Sequence, residues 1–162
     1  MSYKQDSVNK TVNKTFNKMF NKSTSELSSY LSNIHSRQEL DNYIARHTTS
    51  ALNFSEYYYE ILRKKNITLA DAVKSSRLDK YAYKILDETK PLTPGRDKIL
   101  CLCIGANMNI RETNRSLKLC SLGILYTRNT RDAIVIYHIN NNDWNLENIN
   151  IDLSNNGLEI LH

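Results

Sequence analysis

The chain is short of the residues that punctuate or staple a fold. Two prolines and four glycines among 162 residues are too few for a disordered linker or a turn-rich all-β domain, both of which depend on them. Three cysteines, Cys101, Cys103 and Cys120, are an odd number and cannot close a full disulfide framework. Cys-x-Cys with one distant third cysteine and no neighbouring histidine lacks a zinc-ligand spacing. The thiols are expected to be free and packed as small apolar groups, with no metal and no cofactor. The longest apolar run, 99–108, is half the ~20 residues that a bilayer span needs, and residues 1–5 are followed by no apolar signal core. A cytoplasmic location with no membrane partner is therefore expected. Nor is there a phosphate-cradling glycine loop or a nucleophile motif. His35, His47, His138 and His162 are scattered, each read as a helix-surface or terminal residue. No catalytic residue is assigned, and the chain is not expected to be an enzyme.

What is present is positive charge, unevenly spread. The formal net charge is +5. Residues 1–22 carry +4, 23–59 carry −2, 60–98 carry +4 and 99–162 carry −1. Two basic stretches against a near-neutral C-terminal part are the electrostatic layout of a nucleic-acid binder. The first is a low-complexity run in which Asn9, Asn13, Asn17 and Asn21 each precede a lysine, interleaved with Val8, Val12, Phe16 and Phe20. Its four-residue period would draw two stripes on a helix, but asparagine is a poor helix former. Residues 1–22 are read as a frayed basic tail, with an arm along phosphate backbone as the functional alternative.

The second basic stretch holds the pattern around which the domain is read. Thr68, with Asp71 three residues on, reads as a capping box that starts a helix. Ala72 is small enough for another helix to cross closely, and Ser75-Ser76 favours a turn. Leu78, Ala82, Ile85 and Leu86 then share one face of a second helix, with Lys80, Tyr83, Lys84 and Asp87 opposite. That is a helix-turn-helix, one helix buried and the next with a polar face free to enter a groove. Upstream, capping boxes at Ser23…Glu26, Ser36…Glu39 and Asn53…Glu56 open three helices, the first two in an N-terminal segment, 23–52, expected to pack on the front of the domain. Downstream, Thr93 as N-cap with Pro94 behind it predicts a helix over 96–104. Gly105, Gly123 and Gly157 stand where helix C-termini need a left-handed residue. Arg96-Asp97-x-Ile99 returns as Arg131-Asp132-x-Ile134, offset by 35 residues, and each copy leads on to a second helix, after Asn109-Ile110 and containing Leu117 in the first, after Asn145-Leu146 and containing Leu153 in the second. Two successive helical hairpins are predicted, each apolar face needing a neighbour.

With these residues placed, the chain from about Ser36 onward resembles bacterial helix-turn-helix regulators of the phage-repressor/Cro (XRE) type that carry extra C-terminal helices. The resemblance rests on F-S-E-Y at 54–57, Y-A-Y-K-I at 81–85, R-D-K-I-L at 96–100, L-K-L-C at 117–120, 125–137 and N-L-E-N-I-N at 145–150. Ala72, Ser76 and Ala82 stand where that pattern has a small residue, a turn glycine and an apolar residue; Ser76 departs from the usual glycine. The resemblance implies an all-α, repressor-like helix-turn-helix bundle over 53–126, with additional N- and C-terminal helices, the latter a family-specific extension over 127–162. It also implies double-stranded DNA as partner and homodimerisation through the C-terminal helices.

The expected DNA-binding residues are Thr68, Lys74, Arg77, Lys80, Tyr83 and Lys84. The helix 79–86 would lie in the major groove. Arg77 at its entry can fork onto phosphate or guanine, Lys80 and Lys84 share the outer face, and Tyr83 offers a hydroxyl or a stacking ring. Thr68 and the first amides of the preceding helix can hold a phosphate, and Lys74 with 63–65 widens that contact. Asp79, Asp87 and Glu88 oppose this, since acids beside a groove-facing helix repel the backbone. They motivate the alternative: a helix-turn-helix kept as a protein-protein interaction module, with surface tyrosines as its anchors.

Overall fold

A computed structural model describes residues 24–47, 53–87, 89 and 92–162, and the chain divides into two compact units, 1–51 and 52–162. Among the described residues the protein is all-α, with nine helices and no strand, and no helix is long and apolar enough to cross a membrane. The basic tail and the Ser23 cap lie outside the described residues.

The described part of the first unit is α1 (Thr24–Ser32) and α2 (Arg37–His47). Ser36 and Glu39 form the expected capping box, side chain to backbone in both directions at 3.2 Å. Tyr30 stacks on the buried Tyr43 with ring centroids 5.9 Å apart.

The second unit contains α3 (Phe54–Lys65), α4 (Leu69–Ser76), α5 (Lys80–Leu86), α6 (Arg96–Gly105), α7 (Ile110–Leu119), α8 (Thr130–Asn140) and α9 (Leu146–Asn155). Its axis is α6. Every residue from Ile99 to Gly105 is buried, and a helix apolar on all sides must be enclosed. α4, α7 and α9 pack on it. Gly105 is what lets α4 approach: a Cβ there would sit 2.3 Å from the Ala72 carbonyl oxygen and 2.9 Å from the Ser76 nitrogen. Ala72, read as the site of a close crossing, is the other half of that contact. Gly105 is therefore a packing residue inside α6 and not its left-handed terminator.

That terminator is Asn107 (φ 51°), and after α7 it is Ser121 (φ 56°) where Gly123 was expected; only Gly157 (φ 67°) takes the role the sequence suggests. Asparagine tolerates the left-handed region through local side-chain hydrogen bonding, so Asn66, Asn107 and Asn142 do what glycine usually does. The start of α6 also differs from expectation: Gly95, not Thr93, is the N-cap, and it supplies no side-chain bond.

The repeat read from Arg96-Asp97 and Arg131-Asp132 is a structural one. α6–α7 and α8–α9 are hairpins of the same build. Left-handed asparagines at 107 and 142 end the first helices, and Asn109 and Asn145 cap the second ones. Leu125 and Leu161 each return a backbone N–H to an asparagine of the second helix, Asn114 and Asn150, at 2.9 and 2.8 Å. The hairpins then exchange ion pairs. Both terminal guanidinium nitrogens of Arg96 donate to Asp132 at 2.8 Å, and both of Arg131 donate to Asp97 at 2.8 Å. Each arginine also reaches the carbonyls that close its own hairpin, Gly123 and Ile124 for Arg96, Glu159 and Ile160 for Arg131. A residue i touching j of its neighbour while j touches i is the signature of a two-fold interface. Here that arrangement lies within one chain.

Candidate nucleic-acid interface

α4 and α5 are built as the spacing suggests, with different turn chemistry. Ala72, Val73 and Ser76 are buried on α4, and Ala82, Ile85 and Leu86 on α5. Ser76 does not form the turn. It is the last residue of α4, fully buried, with its hydroxyl donating to the Val73 carbonyl at 2.7 Å. The chain reverses at Arg77 (φ 55°) and Asp79 (φ 47°), so the left-handed strain falls one residue after the position the family pattern gives to glycine. α5 is only seven residues long, and its N-cap Asp79 makes no side-chain bond to it.

The outer face of α5 is open. Lys80, Tyr83 and Lys84 are exposed, Tyr83 by 47%. Between α5 and α4 runs a groove of about 730 Å³, with Lys74, Lys80, Tyr83 and the exposed Ala70 on its rim and the buried Val73 and Leu78 on its floor. Three of the six expected contact residues thus meet around one concavity, and Lys84 lies on the same short helix. Tyr81 and Asp79 complete the rim, and Lys98 of α6 stands over the Tyr81 ring, its Nζ 5.7 Å from the centroid. Lys98 and Tyr81 were not foreseen, because nothing local joins residues seventeen apart on different helices.

The other two expected residues are engaged within the protein. Thr68 accepts the Asp71 N–H at 3.1 Å and donates its hydroxyl to the Asp71 carboxylate at 2.6 Å. The box expected there is a hydroxyl–carboxylate clasp, which already places an anion at the start of α4. Arg77 donates to Glu147 of α9 at 2.8 Å, both side chains more than half exposed. Of the triplet that ends α3, Lys65 pairs with Glu112 at 3.0 Å, while Arg63 and Lys64 are exposed.

A second polar cluster lies on the α8–α9 hairpin. His138, read as a surface residue, is 5% exposed. Its Nδ1 is 2.9 Å from the Asp143 carboxylate and its Nε2 3.0 Å from that of Asp152. Burial pushes the Asp143 carboxyl up, but hydrogen bonds from Asn148, His138 and the Asn145 amide outweigh it and hold Asp143 below the ordinary carboxylate range. Asp143 and Asp152 follow His138 by five and fourteen residues, a spacing with no recognisable motif. Among the described residues no group of three His, Cys, Asp or Glu side chains is placed to hold a metal. Cys101 and Cys103 are buried free thiols, both pushed up to about 12 by desolvation, which leaves them protonated and unreactive at neutral pH.

No family model matches the chain. Searches of curated proteins and of solved structures return no match either.

Proposed function

We propose that the protein is a DNA-binding transcriptional regulator that reads duplex DNA through α4 and α5. The observation that carries this reading is the division of α5: one face buried through Ala82, Ile85 and Leu86, the other presenting Lys80, Tyr83 and Lys84 to solvent. Lysines one helical turn apart can each neutralise a phosphate and release its counterions, and an exposed phenol can donate to a phosphate or stack on a base. Lys74 across the groove extends the cationic rim to the helix behind. The basic stretch 60–98 adds a non-specific attraction for the backbone.

One observation favours the second reading, a protein-interaction module: the groove floor is apolar and Asp79 sits on its rim. The two are separated by fluorescence anisotropy with a labelled duplex over a range of salt. A DNA reader binds with an affinity that falls steeply with salt, and Lys80→Ala with Lys84→Ala lowers the magnitude of the log–log slope by ~1 per lost phosphate contact. Equal affinity of wild type and double variant at every salt would remove α5 from any DNA interface.

A further inference from the structure

The internal two-fold provides a map from one hairpin to the other: residues of the first helix correspond at an offset of 35 and those of the second at 36, as Arg96/Arg131 and Asn114/Asn150 show. In α6–α7 one face is roofed by α3 and α4. The Tyr58 hydroxyl donates to the Leu102 carbonyl at 3.1 Å, Lys65 pairs with Glu112, Arg115 stands 5.1 Å from the Tyr57 ring centroid, and Gly105 meets the α4 backbone. Applied to Leu102, Glu112 and Arg115, the offsets give Tyr137, Asn148 and Ile151. Those three line a single cavity of about 360 Å³ on α8–α9, together with Asp143 and Asp152. Among the described residues of this unit no helix roofs it: Tyr137 is 61% exposed and Ile151 52%.

We infer that this face is a docking site for a basic amphipathic helix of a partner protein, seated as α3 is seated on the first hairpin; the seat of α4 has no equivalent, because Asn140 stands where Gly105 admits the α4 backbone. Tyr137 and Ile151 supply exposed apolar anchors of the kind enriched in interfaces. The covering elements of the first hairpin meet its Glu112 with a lysine; on the second, the available charges are the carboxylates of Asp143 and Asp152, and Asp152 keeps 46% of its side chain exposed. The complement is therefore a helix with an apolar stripe and lysine or arginine beside it. A second copy of this chain, face to face, would bring the same carboxylates together and is disfavoured.

The test uses the full chain and two fluorescent peptides of about 18 residues, long enough to form a marginal helix. One places leucine and lysine in an amphipathic pattern, and the other places glutamate where the first has lysine. The leucine–lysine peptide is expected to bind, to shift the backbone amides of 137–152, and to lose roughly tenfold in affinity to Ile151→Lys and to Tyr137→Ala. Both positions are exposed, so melting curves matching wild type will certify the variants. The inference is overturned by absence of binding, by equal binding of the glutamate peptide, or by binding that neither substitution weakens. It is equally overturned by sedimentation showing self-association that Ile151→Lys abolishes, since the occupant would then be a second copy.

Discussion

Cys103, Met108 and Ser116 occupy in the first hairpin the positions that His138, Asp143 and Asp152 occupy in the second. The first three are fully buried, the serine hydroxyl bonded to the methionine sulfur at 3.4 Å. The second three form a chain of charge-assisted contacts at the edge of an open cavity. One backbone design thus accepts a buried, uncharged trio in the hairpin that α3 and α4 cover and an ionisable trio in the hairpin whose corresponding face no helix covers among the described residues. Removing a carboxylate from water costs several kcal/mol unless it is paired, so Asp143 and Asp152 are tolerable because they keep access to solvent and share one imidazole.

That contrast is broken most sharply at Gly105. Gly105→Ala places a methyl against the α4 backbone and is expected to destabilise by about 3 kcal/mol or more. Its counterpart Asn140 is exposed, and Asn140→Ala should stay within about 0.5 kcal/mol of wild type. Urea melts of both variants decide it, and equal costs would mean that the packing on α6 is not specific to the first hairpin.

Next come the two reciprocal arginines. Arg96→Met strands Asp132, whose side chain is only 7% exposed, and should cost about 3 kcal/mol. Arg131→Met leaves Asp97, 29% exposed, better able to recruit water, and should cost about 1 kcal/mol. The same melts read this asymmetry. A smaller effect concerns acid. The hydrogen bond from Arg131 holds the Asp97 carboxyl below its ordinary value of 3.8. A depressed folded-state value means stability present above that pH and lost as pH falls through the folded value. Arg131→Met is expected to flatten the acid limb of the stability profile, and a limb unchanged in shape would contradict the pairing. Last, Tyr137→Ala and Ile151→Ala should each change stability by no more than about 0.5 kcal/mol, since neither side chain is packed beneath another helix. A larger loss by thermal melting would mean that their face is covered.

Much of this was legible in the chain. Ser36 and Asn53, each with a glutamate three residues on, announce their helices because a cap and its helix are neighbours in sequence. The copy of Arg96-Asp97 at Arg131-Asp132 announces the duplication, though only the fold shows that the arginines cross over to each other's aspartates. Gly105 was misread because a glycine after an apolar run looks the same whether it ends a helix or admits a neighbour. Ser76 was misplaced in the turn because serine serves equally as a turn residue and as a small buried one. At the candidate site, helical periodicity separates Lys80, Tyr83 and Lys84 from Ala82 and Ile85 with no tertiary information. Glu147, seventy residues from Arg77, and Asp152, fourteen from His138, are partners only through folding. No local pattern could have paired them.

The most direct test of the reading of α4–α5 is a titration of the isotope-labelled full chain with duplex DNA, following backbone amides by NMR. Shifts are expected at Lys74, Lys80, Tyr83 and Lys84, with 137–152 unmoved. Shifts confined to α8–α9, or no change along α5 while the duplex binds, would contradict it.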